Sequence, residues 1–88
     1  MKPIFIPTKG RFNNCKTAEL LGSISNMWLV VEPQELEKYK ANYSDFNYIE
    51  LPENDKGITY VRNFILNFSN KMGYDWFWML DDDISGIF

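Results

Sequence analysis

The sequence contains no histidine and only one cysteine among its 88 residues. The absence of histidine excludes the Ser-His and Cys-His nucleophile pairs and removes the commonest general base and the usual zinc ligand. The single cysteine, Cys15, cannot form an internal disulfide, which agrees with a reducing compartment. Any chemistry in this chain must therefore use carboxylates, a bound metal ion, or both.

Long apolar runs are also absent. No run approaches the roughly 18 residues that a membrane span requires, and the apolar start at residues 1–7 is too short for a signal peptide. We therefore expect a soluble, cytoplasmic protein without a membrane partner. With 45% hydrophobic and 17% aromatic residues, the chain can form one core without cross-links, so residues 1–88 are predicted to be a single domain.

The net charge of −3 is unevenly distributed. Residues 1–31 carry four basic side chains and one acidic side chain, whereas residues 32–55 carry two basic and seven acidic ones. The first segment therefore favours an anionic ligand. It lacks the clustered basic face of a nucleic-acid groove, so direct nucleic-acid binding by this chain alone is not expected.

Strand-like and helix-like patterns alternate along the chain. The strand-like runs are residues 3–7, 27–31, 47–51 and 76–80, and the helix-like segments are residues 17–21, 33–41 and 58–71. This βαβαβαβ order with short connections predicts an α/β, Rossmann-like, three-layer fold. Its four-stranded, mainly parallel sheet is predicted to have the strand order 3-2-1-4, with helices on both faces.

The last apolar run, Trp76–Leu80, leads directly into Asp81, Asp82 and Asp83. We interpret the run as a buried strand covered on both faces, with its tryptophans in the core. Carboxylates at the carboxyl end of such a strand lie where open α/β sheets bind ligands. Because side chains two residues apart point the same way in extended chain, Asp81 and Asp83 are predicted to converge on Mg²⁺ or Mn²⁺ carrying a phosphate. The alternative is a solvated acidic turn.

Four segments fall in the order found in the first half of GT-A fold glycosyltransferases, the nucleotide-sugar-binding half that ends in a D-x-D motif. They are Pro7-Thr8-Lys9-Gly10-Arg11, Val30-Val31-Glu32-Pro33, Gly57–Asn63 and Met79–Asp83. The amino-acid sequences of the last two segments resemble those of the bacteriophage TET-associated glycosyltransferases. This resemblance covers nearly the whole chain. That group is implicated in adding sugars to modified bases of phage DNA. The resemblance implies a truncated GT-A nucleotide-binding subdomain.

The resemblance also implies that the chain binds a nucleoside diphosphate-sugar together with Mn²⁺ or Mg²⁺. The candidate donor-binding residues are Thr8, Lys9, Arg11, Glu32, Arg62, Asn63 and Asp81, and the candidate metal ligands are Asp81 and Asp83. The first three follow a strand, where a guanidinium can fork onto a diphosphate. An acidic residue in the place of Glu32 binds the base or the ribose in similar enzymes. Arg62 and Asn63 lie near a helix start that favours phosphate. Each assignment has an alternative without a ligand. Residues 8–11 can be an ordinary charged loop, Glu32 a charge in the first turn of a helix, and Arg62 with Asn63 an exposed pair.

A GT-A transferase also needs a second half that binds the acceptor, which residues 1–88 do not contain, so we expect this chain to be either a fragment of an enzyme or a free-standing binding protein. We therefore expect that this chain alone does not transfer sugar. The alternative function is that of a small free-standing, phage-type protein that binds another protein, such as an inhibitor of a host defence protein in the host cytoplasm. An uncovered sheet face would also permit self-association.

Overall fold

The computed structural model describes residues 2–83. Its elements are β1 (Ile4–Pro7), α1 (Lys16–Leu21), β2 (Met27–Val31), a 3₁₀ turn (Pro33–Glu35), α2 (Leu36–Asn42), β3 (Asn47–Glu50), α3 (Ile58–Lys71) and β4 (Trp78–Met79). Within this range the sheet has four parallel strands in the order β3-β2-β1-β4. The predicted α/β fold and strand order are therefore confirmed.

β1 is an inner strand of the sheet and has a parallel neighbour on each side. It pairs with β2 from Ile4 beside Met27 to Pro7 beside Val30. On its other side, Ile4 pairs with Trp78 of β4. The chain runs outward from β1 through β2 to β3 and then returns to place β4 on the opposite side of β1. This reversal of direction creates a topological switch point, which is where open α/β sheets bind ligands.

Alternate side chains of the strands enter two separate cores, because successive residues of extended chain point to opposite faces. The core beneath α1 and α2 contains Ile6, Cys15, Ala18, Met27, Leu29, Val31 and Tyr39. The core beneath α3 contains Phe5, Val30, Leu51 and Ile65, with Val61, Phe64 and Phe68 packed against them. Helices therefore cover both faces of the sheet, and the predicted three layers are present.

The longest helix, α3, begins directly after Gly57, whose φ of 87° lies in the left-handed region that favours glycine. This turn directs the first residues of α3 toward the carboxyl ends of the strands. Ile65, near the middle of the helix, is buried against the sheet. With 14 residues α3 is too short to cross a bilayer, and no other helix in residues 2–83 is long and apolar enough to do so.

The last strand is shorter and more exposed than the sequence predicts. β4 spans only Trp78–Met79, and the side chains of Trp76 and Trp78 are 48% and 52% exposed. The prediction that this run is covered on both faces, with these tryptophans in the core, was wrong. In the described part of the sheet β4 is an edge strand beside β1 alone, and the face that carries Trp76 and Trp78 is only partly covered there. Phe77, which points to the other face, packs edge-to-face on Phe5 with 5.4 Å between ring centroids.

Candidate functional site

A cleft of about 310 Å³ opens at the carboxyl ends of β1, β2 and β4. One side of it is apolar and is formed by Pro7, Val30, Leu51, Ile58 and Val61. The other side is polar and is formed by Thr8, Lys9, Arg11, Glu32, Asp81 and Asp82, with Gly57 at the start of α3. An apolar wall facing a few convergent charged groups is the usual arrangement of a small-molecule site.

A chain of hydrogen bonds passes through Thr8 at the end of β1. The backbone N–H of Arg11 donates to the Tyr39 hydroxyl across 3.0 Å, and that hydroxyl lies 2.7 Å from the Thr8 hydroxyl. Thr8 donates its proton to the Asp82 carboxylate across 2.8 Å. Since Thr8 has only one proton to donate, Tyr39 must donate to Thr8. The chain therefore orients the Asp82 carboxylate toward the loop after β1.

Burial raises the pKa of Tyr39 to about 12, although its bonds with Thr8 and the backbone of Arg11 act in the opposite direction. Desolvation has this effect because it disfavours the phenolate more than the neutral phenol. The phenol therefore keeps its proton at neutral pH. Tyr39 remains able to donate to Thr8 wherever the protein functions near neutrality.

Asp82 also faces a basic side chain. Its Oδ2 lies 3.9 Å from Nε of Arg11, and both side chains are partly accessible at the mouth of the cleft. The backbone on either side is held by Thr17 of α1, whose hydroxyl donates to the Asp81 carbonyl and whose N–H donates to the Asp82 carbonyl across 3.3 Å. The acidic run is therefore fixed in position by α1 and by the β1 loop together.

The predicted metal ligands are placed differently from each other. Both are exposed, but Asp81 lines the cleft and Asp83 is not among the lining residues. Within residues 2–83, no group of three or more histidine, cysteine, aspartate or glutamate side chains is arranged to hold a metal ion. A hard cation bound here would therefore take few protein carboxylates and would need ligand phosphates and water to complete its oxygen shell. The choice of Asp81 and Asp83 stays a prediction.

Glu32 lies at the end of β2 and is only 4% exposed. Its Oε1 accepts a bond from Nε2 of Gln34 across 2.7 Å, and its Oε2 accepts the backbone N–H of Asp55 across 3.1 Å. Nζ of Lys9 lies 3.5 Å from the same Oε2. Glu32 therefore joins the β1 loop and the segment before α3 into one wall of the cleft.

Lys9 completes this wall through Asp55, at 2.5 Å from Nζ to the carboxylate oxygen. The hydrogen bond to Asp55, followed by the nearby Glu32 charge, raises the pKa of Lys9, and the same hydrogen bond lowers the pKa of Asp55. Lys9 is therefore a protonated cation at the edge of the cleft, with more than half of its side chain accessible.

Two predicted donor-binding residues do not join the others. Arg62 and Asn63 are exposed on α3 and are not among the residues that line the cleft. The helix contributes Ile58 and Val61 instead. Each residue of a helix is rotated by about 100° from the last, so the two residues after Val61 face away from a surface that Val61 lines.

Three residues that matter for the site were not identified from the sequence: Glu35, Tyr39 and Asp82. The Glu35 carboxylate accepts the backbone N–H of Gly10, 3.1 Å from each of its oxygens. A sequence signal was present, since Glu35 and Tyr39 are four residues apart and such pairs share one side of a helix. Their partners lie 25 to 31 residues away in the chain, however, so only the folded structure shows what they bind.

One of three comparisons with known proteins found a match. The family model described as TET-Associated Glycosyltransferase matches residues 2–88. The comparison with curated proteins and the comparison with solved structures found no match. The match includes every residue of the cleft.

Proposed function

This chain belongs to the TET-associated glycosyltransferase family, and from that membership and the cleft we propose that it binds a nucleoside diphosphate-sugar with a divalent cation. One observation carries the proposal: basic and acidic side chains from three strand ends converge on a single cleft at the switch point of the sheet. The ancestral acceptor that we propose is a modified base of phage DNA.

The phosphates are assigned to the β1 loop. Arg11 and Lys9 have side chains that are 39% and 55% exposed, so both can move onto a ligand. A guanidinium binds phosphate oxygens through two parallel N–H bonds, while an ammonium acts as a point charge. Thr8 precedes them in the same loop, and its hydroxyl holds the Asp82 carboxylate beside Arg11. In this proposal a diphosphate lies along residues 8–11 at the polar side of the cleft.

The nucleoside is assigned to the apolar side. Val30, Leu51 and Ile58 supply surface on which a base or ribose can pack. Glu32 borders this surface. A carboxylate in this position accepts hydrogen bonds, so it would select a ligand that offers a ring N–H or a ribose hydroxyl. The same carboxylate already accepts bonds from Gln34 and Asp55. Its second role in this proposal is therefore to keep the nucleoside wall in shape.

The cation is assigned to Asp81 and Asp83, which supply the hard oxygen ligands that Mg²⁺ and Mn²⁺ prefer. When bound, the ion would offset the negative charge of the diphosphate. Asp82 is excluded from this role because its carboxylate is turned toward Thr8 and Arg11. In this proposal the nucleotide-sugar and its cation together occupy the cleft. Transfer would further require groups that hold an acceptor against the anomeric carbon, so we propose donor binding, and not transfer, for these residues acting alone.

Calorimetric titration with a panel of nucleoside diphosphates, with and without Mn²⁺, tests the proposal. We expect binding that strengthens when Mn²⁺ is present, and a loss of about tenfold in affinity in Arg11→Ala, since a charge-assisted hydrogen bond is removed. Arg62→Ala is the matched control, because it removes the same side chain from an exposed position outside the cleft. The absence of binding by the native chain to every member of the panel would overturn the proposal. An equal loss of affinity in both variants would indicate that the phosphate also contacts α3.

The exposed tryptophans favour protein binding as a second candidate function. The rings of Trp76 and Trp78 contact each other with 5.5 Å between centroids, and Lys2 lies over the Trp76 ring at 5.0 Å. Trp78 lies on the edge strand β4 and Trp76 just before it, and half-exposed tryptophans at a sheet edge are characteristic of interface anchors. The occupant that we propose to test is a second copy of this chain. A role as an inhibitor of a host protein would use the same surface.

A further inference from the structure

Three groups of the loop after β1 are bonded to two side chains from the start of the α2 segment. Glu35, the last residue of the 3₁₀ turn, accepts the N–H of Gly10, and Tyr39 bonds both the Thr8 hydroxyl and the N–H of Arg11. Both side chains are buried, Glu35 at 9% exposure and Tyr39 at 0%. We call Glu35 and Tyr39 the loop clamp.

Both carboxylate oxygens of Glu35 face the same backbone N–H, that of Gly10. No ion pair found among residues 2–83 joins Glu35 to a basic side chain. A buried carboxylate is costly unless hydrogen bonds compensate it. Gly10, at φ 71°, occupies the left-handed region that favours glycine. Glu35 is therefore bonded to a loop conformation that few other residues would adopt.

Tyr39 acts on the residues on either side of Gly10. Its hydroxyl accepts from the N–H of Arg11 and donates to Thr8, which in turn donates to Asp82. One buried phenol thus sets the backbone at Arg11 and, through Thr8, the orientation of a cleft carboxylate. Removing the hydroxyl would free the N–H of Arg11 and leave the Thr8 hydroxyl without the donor that fixes its orientation.

We infer that the loop clamp is a positioning device for ligand binding: Glu35 and Tyr39 hold residues 8–11 in the conformation that presents Lys9 and Arg11 to a phosphate group. This inference rests on the proposed function of the cleft. Neither clamp residue is among those that line the cleft. Their effect on affinity is therefore exerted through the loop.

The clamp also specifies how the phosphate is recognised. Because the N–H groups of Gly10 and Arg11 are bonded to Glu35 and Tyr39, they are occupied in the folded protein. A phosphate at this loop is then bound by the side chains of Lys9 and Arg11, because the single proton of the Thr8 hydroxyl is already donated to Asp82. This differs from glycine-rich phosphate loops, in which backbone N–H groups surround the anion. Side-chain recognition makes the affinity depend on where the loop backbone places each side chain.

The test uses the 88-residue chain, with inorganic pyrophosphate and Mn²⁺ as the probe because this pair requires no knowledge of the base or sugar. The clamp variants are Glu35→Met, which removes the acceptor oxygens and keeps the length of the side chain, and Tyr39→Phe. The controls are Glu37→Met, which makes the same change at an exposed position of α2, and Tyr48→Phe, which removes a partly buried hydroxyl that bonds elsewhere, to the Tyr43 carbonyl. Each protein is examined by calorimetry and by amide hydrogen exchange measured by NMR.

We expect each clamp variant to bind pyrophosphate about tenfold more weakly, the scale of one lost charge-assisted or buried hydrogen bond. The controls should stay within about twofold. Because both clamp residues act on one loop, the double variant should lose less than the sum of the single losses. A merely structural role would lower the unfolding stability of Tyr48→Phe and Tyr39→Phe alike and leave their affinities equal. That result would overturn the inference.

Hydrogen exchange separates this inference from the proposed function. In the native chain, the amide protons of Gly10 and Arg11 should be protected, and protection should fall selectively in Glu35→Met and Tyr39→Phe respectively. If the native chain binds no pyrophosphate, the proposed function fails and exchange still decides whether the clamp exists. Unprotected Gly10 and Arg11 amides in the native chain overturn the clamp even if neither variant folds.

Discussion

The Thr8 hydroxyl donates to the Asp82 carboxylate across 2.8 Å and so joins two residues that are 74 positions apart in the chain. The bond ties the end of β1 to the end of β4, the two strands that flank the switch point. It also selects which carboxylate of the acidic run faces the β1 loop. The middle aspartate takes this role, which is why the proposed cation is assigned to Asp81 and Asp83.

Replacing Thr8 by valine should therefore destabilise the protein although the side chain keeps its shape. Thr8 is buried, and the change removes the acceptor of the Tyr39 proton and the donor to Asp82. We expect a loss of about 1–3 kcal/mol in the free energy of unfolding, measured by urea denaturation. Thr59→Val, at an exposed position of α3, is the control. An equal effect in both variants would show that the hydrogen-bond chain contributes nothing.

Alkaline pH should weaken the fold through its buried phenols. Burial raises the pKa of Tyr39, Tyr43 and Tyr48 to about 12 in each case. A raised folded-state pKa means that the neutral form is favoured by folding, so the stabilisation is complete below the unfolded value of about 10 and is lost as pH rises through about 12. The free energy of unfolding should therefore fall from about pH 10 upward, and it should fall less steeply in Tyr39→Phe. A flat profile across this range would contradict the assigned burial.

Much of the fold could be predicted from the sequence because its signals are local. The apolar run at residues 27–31 and the helical spacing at residues 58–71 match β2 and α3 residue for residue. The exposure of Trp76 and Trp78 could not be predicted in the same way. The run in which they lie is apolar at every position, so no alternation of polar and apolar residues shows which face is open.

The residues of the site also divide into those with a local sequence signal and those without one. Lys9, Arg11, Glu32 and Asp81 were found because they follow strand ends, where ligands bind in this class of fold. Arg62 was assigned to the site by its closeness to a helix start, but its angular position on α3 turns it away. The roles of Glu35 and Tyr39 depend on hydrogen bonds between distant segments, which no spacing rule within one element can show.

The assignment of the cation predicts a specific dependence on phosphate. Asp81→Asn/Asp83→Asn should abolish the increase in Mn²⁺ affinity that pyrophosphate causes in the native chain, because the protein's share of the oxygen shell is lost. Electron paramagnetic resonance of free Mn²⁺ measures the bound fraction directly. The control is Asp45→Asn/Asp75→Asn, which removes the same charge from exposed positions elsewhere. Retention of the pyrophosphate effect in the first double variant would exclude these two carboxylates as the metal site.

The exposed tryptophan pair predicts concentration-dependent association. Trp78 lies on the edge strand β4 and Trp76 just before it, and burying two half-exposed indoles against a second copy would remove apolar surface from water. Light scattering should show a mass that rises with protein concentration in the native chain and stays at the monomer value in Trp76→Ser/Trp78→Ser.

The control for this association is Leu66→Ser, which removes an exposed apolar side chain from α3. It should associate like the native chain, because α3 lies on the face of the sheet opposite to the one that the tryptophans occupy. Both tryptophans are half-exposed, so their replacement should cost little unfolding free energy, and a loss of mass cannot then be attributed to unfolding. A monomer at every concentration of the native chain would remove self-association as the use of this surface.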